Sequence, residues 1–189
     1  MKVIGLTGLI CAGKSTVSSL IISSYPNSYL FDCDDVCHTI LNKDKEIRER
    51  IARDVFSDKE RLLAFQKKMW ASLEEILKKE IKENAPSISF FILDAPLLFQ
   101  AGFDKYCDAI VFLEADKETR RKRFLSRSSK SDSDNASDDN ASDDFDKRNS
   151  IQTEYFRNHE RELNIDLRLN TTCKNYMQKL VDFLDFYSH

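Results

Sequence analysis

The chain has 189 residues, enough for one domain with a real core and a small inserted subdomain, and its 41% apolar content is a little low for a globular chain. A formal net charge of -3 gives no global reason to expect nucleic acid or a membrane surface as partner. No apolar run approaches the roughly 18 residues needed to span a bilayer, and the N-terminus enters a strand without a signal-peptide layout, so the expectation is a cytoplasmic chain.

The apolar run Lys2 to Thr7 predicts a strand, and Gly8-Leu9-Ile10-Cys11-Ala12-Gly13-Lys14-Ser15 follows it directly, with Thr16 next. Val17, Leu20 and Ile21 then recur at helical spacing over residues 15–24. G-x-x-x-x-G-K-S between a strand and a helix is the context of a phosphate-binding P-loop. Its glycines let backbone N-H groups approach phosphate oxygens with no side chain between them. Lys14 is then placed to reach the β- and γ-phosphates of ATP and Ser15 to ligate Mg²⁺, with the phosphates at a helix N-terminus. The alternative is an incidental Gly-rich turn.

Pro26 and Asn27 mark a turn, and Tyr29-Leu30-Phe31 a short strand ending in Asp32-Cys33-Asp34-Asp35. One of these carboxylates is expected to cap the helix that runs on through Val36, Ile40 and Leu41. Another at this strand end is positioned to orient an acceptor hydroxyl and take its proton. Cys33, Cys37 and His38 also raise a metal reading, but no second Cys/His pair stands at ligand spacing. The five cysteines are odd in number and lie mostly in apolar elements, which suits reduced thiols.

Residues 43–84 are charged with helical periodicity, marked by Ile47, Ile51, Val55, Leu62, Phe65, Met69, Leu73, Ile76 and Ile81. Lys67, Lys68, Lys78, Lys79 and Lys82 read mainly as a solvated face, with one or two free to meet an anionic substrate. Past Pro86, residues 88–94 form an apolar strand ending in Asp94, a Walker-B-like acid able to support Mg²⁺ directly or through water. Ala95-Pro96-Leu97-Leu98-Phe99-Gln100 follows, then Asp108 and the strand 109–113.

These motifs together resemble the dephospho-CoA kinases, whose pattern includes a P-loop of the G-x-x-x-x-G-K-S-T kind, an acidic D-x-D strand end, D-x-P-L-L-F-E, and an aspartate before the next strand. Here they read Gly8 to Thr16, Asp32-Cys33-Asp34, Asp94 to Gln100, and Asp108. The P-L-L-F element is the specific part, since a P-loop alone leaves many kinases and ATPases open. The resemblance covers nearly the whole chain, apart from an acidic tract and a shortened stretch around residues 56–76.

It implies an α/β P-loop kinase fold, a five-stranded parallel sheet flanked by helices, as one domain over residues 1–189. Within it, residues 35–86 would be a helical acceptor-binding subdomain and residues 118–152 a lid. It implies transfer of the ATP γ-phosphate to the ribose 3'-hydroxyl of dephospho-CoA. Asp34 would be the base, and Asp32, His38, Pro96, Leu97, Leu98 and Phe99 would line the acceptor site. Five basic side chains fall between Glu118 and Arg127, where a lid brings guanidiniums onto phosphate, and the family's R-x-x-x-R favours Arg123 and Arg127 over Arg120 and Arg121. R-x-x-x-Q adds Arg148, and the last strand, from Ile165, places Asn170 near adenine with its spacing from Asp166 one residue short of the pattern. Gln100 stands where the family has Glu, and Lys78-Lys79 where a His-Pro pair is usual.

Between the arginines, Asp134-Asn135-Ala136-Ser137-Asp138 repeats directly as Asp139-Asn140-Ala141-Ser142-Asp143. Residues 128–146 hold no large apolar side chain before Phe145, so the expectation is a disordered insertion, with the helix resuming at Asp146. Ser131, Ser133 and Ser137, each followed by an acid, are candidate phosphorylation sites. Outside the tract the chain is net positive, which suits a polyanionic substrate.

Other readings remain at this point. A nucleoside monophosphate kinase would share the chemistry with a different pocket. A GTP switch would need N-K-x-D and D-x-x-G, but Asn42-Lys43-Asp44-Lys45 fails at its last position and no D-x-x-G occurs. A nucleotide-binding pseudo-enzyme is the third.

Overall fold

The structure is a computed structural model and describes residues 1–43, 59–128 and 138–188. Strands β1 (Lys2–Gly8), β2 (Ser28–Asp32), β3 (Phe90–Asp94), β4 (Ala109–Glu114) and β5 (Leu167–Asn170) form one parallel sheet in the order β2-β3-β1-β4-β5. Helices α1 (Lys14–Ser24), α2 (Cys33–Lys43), α3 (Lys59–Asn84), α4 (Lys117–Ser128), α5 (Asp138–Asn158) and α6 (Tyr176–Tyr187) surround it. Ile47, Ile51, Val55, Ser131, Ser133 and Ser137 lie outside the described residues.

Both faces of the sheet are buried, which explains why its strands read as unbroken apolar runs rather than alternating ones. Ile4 and Leu6 of β1, Phe90 and Ile92 of β3, and Val111 and Leu113 of β4 pack with Val17 and Ile21 of α1 and Leu180 and Leu184 of α6. The intervening residues Val3, Phe91, Leu93 and Ile110 face the other way and pack with Phe31 and with Leu73 and Leu77 of α3.

Two aspartates pin the N-terminal edge of the sheet in the same manner. Asp108 donates its N-H to the Val3 carbonyl at 2.8 Å, and its Oδ2 accepts from the Val3 N-H at 2.7 Å. Asp166 repeats this on Ile110 at 3.0 and 2.8 Å. The last strand therefore starts at Leu167, two residues later than expected, with Asp166 engaged through its side chain as well as its backbone.

The expectation of disorder through residue 146 is corrected for its C-terminal part, because α5 begins at Asp138, eight residues before Asp146. A helix N-terminus favours acidic residues, so a sequence rich in aspartate at this end is compatible with helix. The other reason is Phe145, which is fully buried and packs its ring 5.7 Å from that of Phe124, with the Arg120 guanidinium 5.9 Å away. Ion pairs add to this seam, with Lys117 Nζ 2.7 Å and Arg121 Nη2 3.5 Å from the Asp146 carboxylate. Phe145→Ala should lower stability by about 3 kcal/mol or more in urea denaturation. A loss within the range of a surface substitution would show that α5 is not packed from this point.

Candidate active site

The carboxyl ends of the strands converge on one open pocket of about 500 Å³. Parallel register brings Asp32 of β2 opposite Asp94 of β3, and Asp94 opposite Leu6 of β1, two residues before the P-loop. Ile10, Cys11, Lys14 and Ser15 form one wall, Asp32, Asp34, Asp94 and Pro96 another, and Phe124, Arg127, Arg148, Ile151 and Gln152 overhang from α4 and α5.

The P-loop owes its path to three residues in the left-handed region, Gly8 at φ 148°, Cys11 at φ 56° and Gly13 at φ 104°. A side chain at Gly8 would place its Cβ 2.1 Å from the Leu113 carbonyl oxygen, and Leu9 donates to the same oxygen at 3.1 Å. Gly13 is the N-cap of α1, with the N-H groups of Thr16 and Val17 reaching its carbonyl at 3.1 Å each.

The three acids of the second strand end have separate tasks. Asp32 is the helix cap, its Oδ1 accepting from the N-H of Asp34 at 2.9 Å and of Asp35 at 3.2 Å. Asp34 opens into the pocket. Surrounding protein pushes its carboxyl up, the Asp32 charge adds to this, and Lys14 and His38 pull it back. Asp35 is exposed and does not line the pocket.

Asp94 is 4% exposed, and burial raises its carboxyl to about 6, with Lys14 opposing and Asp32 and Asp34 adding. Its other neighbour is Ser18, whose hydroxyl hydrogen bond lowers it. Among the described residues no group of three or more His, Cys, Asp or Glu side chains converges as a metal cage. Burial also pushes the Cys33 and Cys37 thiols up, so both are protonated at neutral pH and poor ligands.

The arginines divide differently from expectation. Arg127 and Arg148 do line the pocket, and Arg148 Nε is held 3.0 Å from Asp144 Oδ1, one turn back on α5. Arg123 instead lies behind the P-loop, its Nη1 donating to the Cys11 carbonyl at 3.3 Å and to Thr171 Oγ1 at 3.2 Å. Arg120 is 4% exposed and donates to the Ala115 carbonyl at 2.9 Å and to Asn149 Oδ1 at 2.7 Å. A smaller pocket of about 100 Å³ beside the loop is lined by Gly13, Thr16, Val17, Arg123, Arg127, Thr171 and Tyr176. Asn170 is not among them, and its Oδ1 accepts from the Thr172 N-H at 2.9 Å and hydroxyl at 2.6 Å.

The Pro96 to Phe99 element is also divided. Pro96 lines the pocket and Leu97 is 37% exposed. Leu98 is fully buried, and Phe99 meets Phe156 edge-on at 6.4 Å. Leu98 and Phe99 belong to the core on the α3 face of the sheet and are not on the pocket wall. His38 is exposed on α2, one turn after Asp34, and outside the pocket wall. Among the described residues no α3 lysine lines the pocket, and Lys78 pairs with Glu74 at 3.3 Å, where Lys105 also binds at 2.8 Å.

Gln152 was visible only as the end of R-x-x-x-Q, yet its Oε1 accepts from the Ile10 N-H at 2.7 Å. Phe124, Ile151 and Thr171 had no sequence signal, since apolar lid positions and a threonine after a strand carry no motif.

A family model described as "Dephospho-CoA kinase" matches residues 46–164. The dephospho-CoA kinase of one Thermus thermophilus strain is 32% identical over 145 residues, covering 68% of this chain and 69% of that one. That of Symbiobacterium thermophilum is 27% identical over 155 residues, covering 69% of this chain, and the match spans 63% of the relative's length. The crystal structure of TT1252 from Thermus thermophilus superposes with a TM-score of 0.73 at 26% identity, covering 97% of this chain and 96% of that one.

The buried Asp94 gives a signed expectation. Its carboxyl is protonated in both folded and unfolded chains below the ordinary value of 3.8, so no cost arises there. Stability is lost as pH rises from there through about 6, the folded value. Above that the ligand-free protein carries a penalty on the order of 3 kcal/mol. Asp94→Asn should therefore raise the Tm of the ligand-free protein at pH 8, with the gain shrinking toward pH 4. A gain independent of pH would remove Asp94 as its source.

Proposed function

Because the chain belongs to the dephospho-CoA kinase family, we propose that it transfers the γ-phosphoryl group of ATP to the ribose 3'-hydroxyl of dephospho-CoA, giving coenzyme A and ADP. The observation that carries the reading is the meeting of Lys14 and Asp34 across one pocket, a cation on the phosphate wall facing a carboxylate raised toward useful basicity. In the reaction the bond between the γ-phosphorus and the bridging oxygen of ATP breaks and the bond from the ribose oxygen forms. The hydroxyl proton passes to Asp34, and ADP leaves with the electron pair.

The N-H groups of the P-loop and Lys14 hold the β- and γ-phosphates, and Arg127 and Arg148 meet the charge that spreads onto the γ-phosphoryl oxygens. Arg148 must exchange Asp144 for phosphate, a change open to an exposed pair of small net worth. Asp32, Pro96 and Leu97 form the acceptor wall, and α2 and α3 shape the acceptor-binding region of residues 35–86. The base of ATP points toward the smaller pocket beside the loop, on its Tyr176 side, with Asn170 holding the turn that carries Thr171.

The donor set also fits Mg²⁺. That ion takes oxygen ligands and is commonly held by one or two protein groups with phosphates and water, so a full protein cage is not required. Ser15 and Asp94 would hold it, and it would supply positive charge to offset that of the phosphates. Among the described residues no helix is long and apolar enough to cross a membrane, and all five cysteines are free, which supports a cytoplasmic setting.

The reading is tested by ADP release from the purified protein with Mg-ATP and dephospho-CoA, AMP or no acceptor, with the product identified by mass. Release with dephospho-CoA and formation of coenzyme A are expected; release with AMP alone would move the acceptor assignment. Asp34→Asn should lower turnover by about a hundredfold or more while ATP affinity stays near that of the parent protein. Unchanged turnover would remove Asp34 as the base.

A further inference from the structure

Three successive carbonyls of the P-loop each receive a hydrogen bond from outside the loop. Arg120 Nη1 donates to Ile10 at 3.5 Å, Arg123 Nη1 to Cys11 at 3.3 Å, and the Thr171 hydroxyl to Ala12 at 2.7 Å. The Arg120 contact is at the limit of a hydrogen bond, and the Thr171 contact is short and direct. Thr171 also accepts from Arg123 Nη1 at 3.2 Å, so one hydroxyl links two of the anchors. Its backbone is fixed in turn, its N-H donating to the Glu114 carbonyl at 2.9 Å.

We infer that Thr171, together with Arg123 and Arg120, is a positioning clamp that draws the Ile10, Cys11 and Ala12 carbonyls toward α4 and the turn after β5. The N-H groups of the loop are thereby held ready for a polyphosphate. The proposal rests on the phosphate-binding reading of the loop and adds the groups that hold its shape.

The backbone supplies the reason a clamp is needed. Cys11 is a non-glycine residue at φ 56°, a conformation that persists where surrounding structure over-determines it. The two peptide carbonyls that follow the Cys11 and Ala12 α-carbons are the ones with the firmest outside donors, Arg123 on Cys11 and Thr171 on Ala12. Oriented N-H groups in such a turn form an anion-binding concavity only while the peptide planes keep their direction. An unheld peptide plane can turn a carbonyl dipole toward the phosphate and replace attraction with repulsion. The small pocket beside the loop contains the same threonine, so a direct contact with the nucleoside has to be separated from the clamp.

Sodium tripolyphosphate makes that separation, because it carries the phosphates without a base or sugar. The test is calorimetric titration of the full chain with Mg²⁺ and tripolyphosphate, and separately with Mg-ATP, in the parent protein, Thr171→Val and Thr171→Ser. Valine keeps the shape and removes the hydroxyl; serine keeps the hydroxyl. Thr171→Val should weaken both ligands by the same factor, about five- to tenfold, and Thr171→Ser should restore both. The KM for dephospho-CoA should not change.

Weakening of ATP alone would overturn the clamp in favour of a nucleoside contact, and parental affinity for both ligands in Thr171→Val would also overturn it. A parent protein that binds neither ligand would overturn the nucleotide-site reading itself, a result distinct from either. Should Thr171→Val not fold by circular dichroism, Arg123→Lys provides the second route. It keeps the charge and gives up the paired contacts, with the same parallel loss expected and parental binding again fatal to the proposal.

Discussion

No side chain fits between Gly8 and the carbonyl of Leu113, and the rest of the site depends on that close approach. The first residue of the P-loop rests directly on β4, so the loop takes its height above the sheet from the strand beside it. Leu9 bonds the same carbonyl, which keeps the chain against β4 for one more residue before it turns. The loop then crosses the carboxyl edge toward α1, and the acids of β2 and β3 meet it there because parallel register ends those strands at the same level.

The charges at this edge are unbalanced by design of the fold. Asp32 raises Asp34, and both raise Asp94, while Lys14 at the strand ends lowers Asp34 and Asp94. Open water moderates Asp34, whereas Asp94 is enclosed and bears the larger desolvation. A site of this kind is unfavourable when empty and improves on gaining a cation beside the acids and a polyanion beside the lysine. Part of the binding free energy of ligand is therefore relief of a cost already present in the folded chain. The same logic applies more weakly to Arg148, whose guanidinium is paired with Asp144 at 60% exposure and so is held without being trapped.

Much of this was legible in the sequence because close packing leaves signatures. The glycines of the P-loop, the apolar strands and the acids at their ends have few alternatives once a parallel sheet covered on both faces is assumed. The register that sets Asp32 against Asp94 then follows from strand lengths. Other features were not legible because their signal is tertiary. Arg120, Arg123 and Arg127 share one basic run, and only the packing of α4 against α5 separates a buried donor, a loop anchor and a pocket residue. The start of α5 differs because composition argues for disorder over the aspartate-rich repeat, while the buried Phe145 and the ion-paired Asp146 pack the helix just after its second copy. Asn170 matched a family position, but its amide serves the adjacent turn, and the neighbouring threonine has the contact with the loop.

The anchor on Ala12 comes from a residue 159 positions later in the chain. Synthesis runs from the N-terminus, so the P-loop emerges from the ribosome long before the turn after β5. Until then the loop has its sequence but lacks one of its supports, and β4 has an open edge where β5 will pair. The shape of the nucleotide-binding loop is in this sense completed by a segment made long after the loop itself.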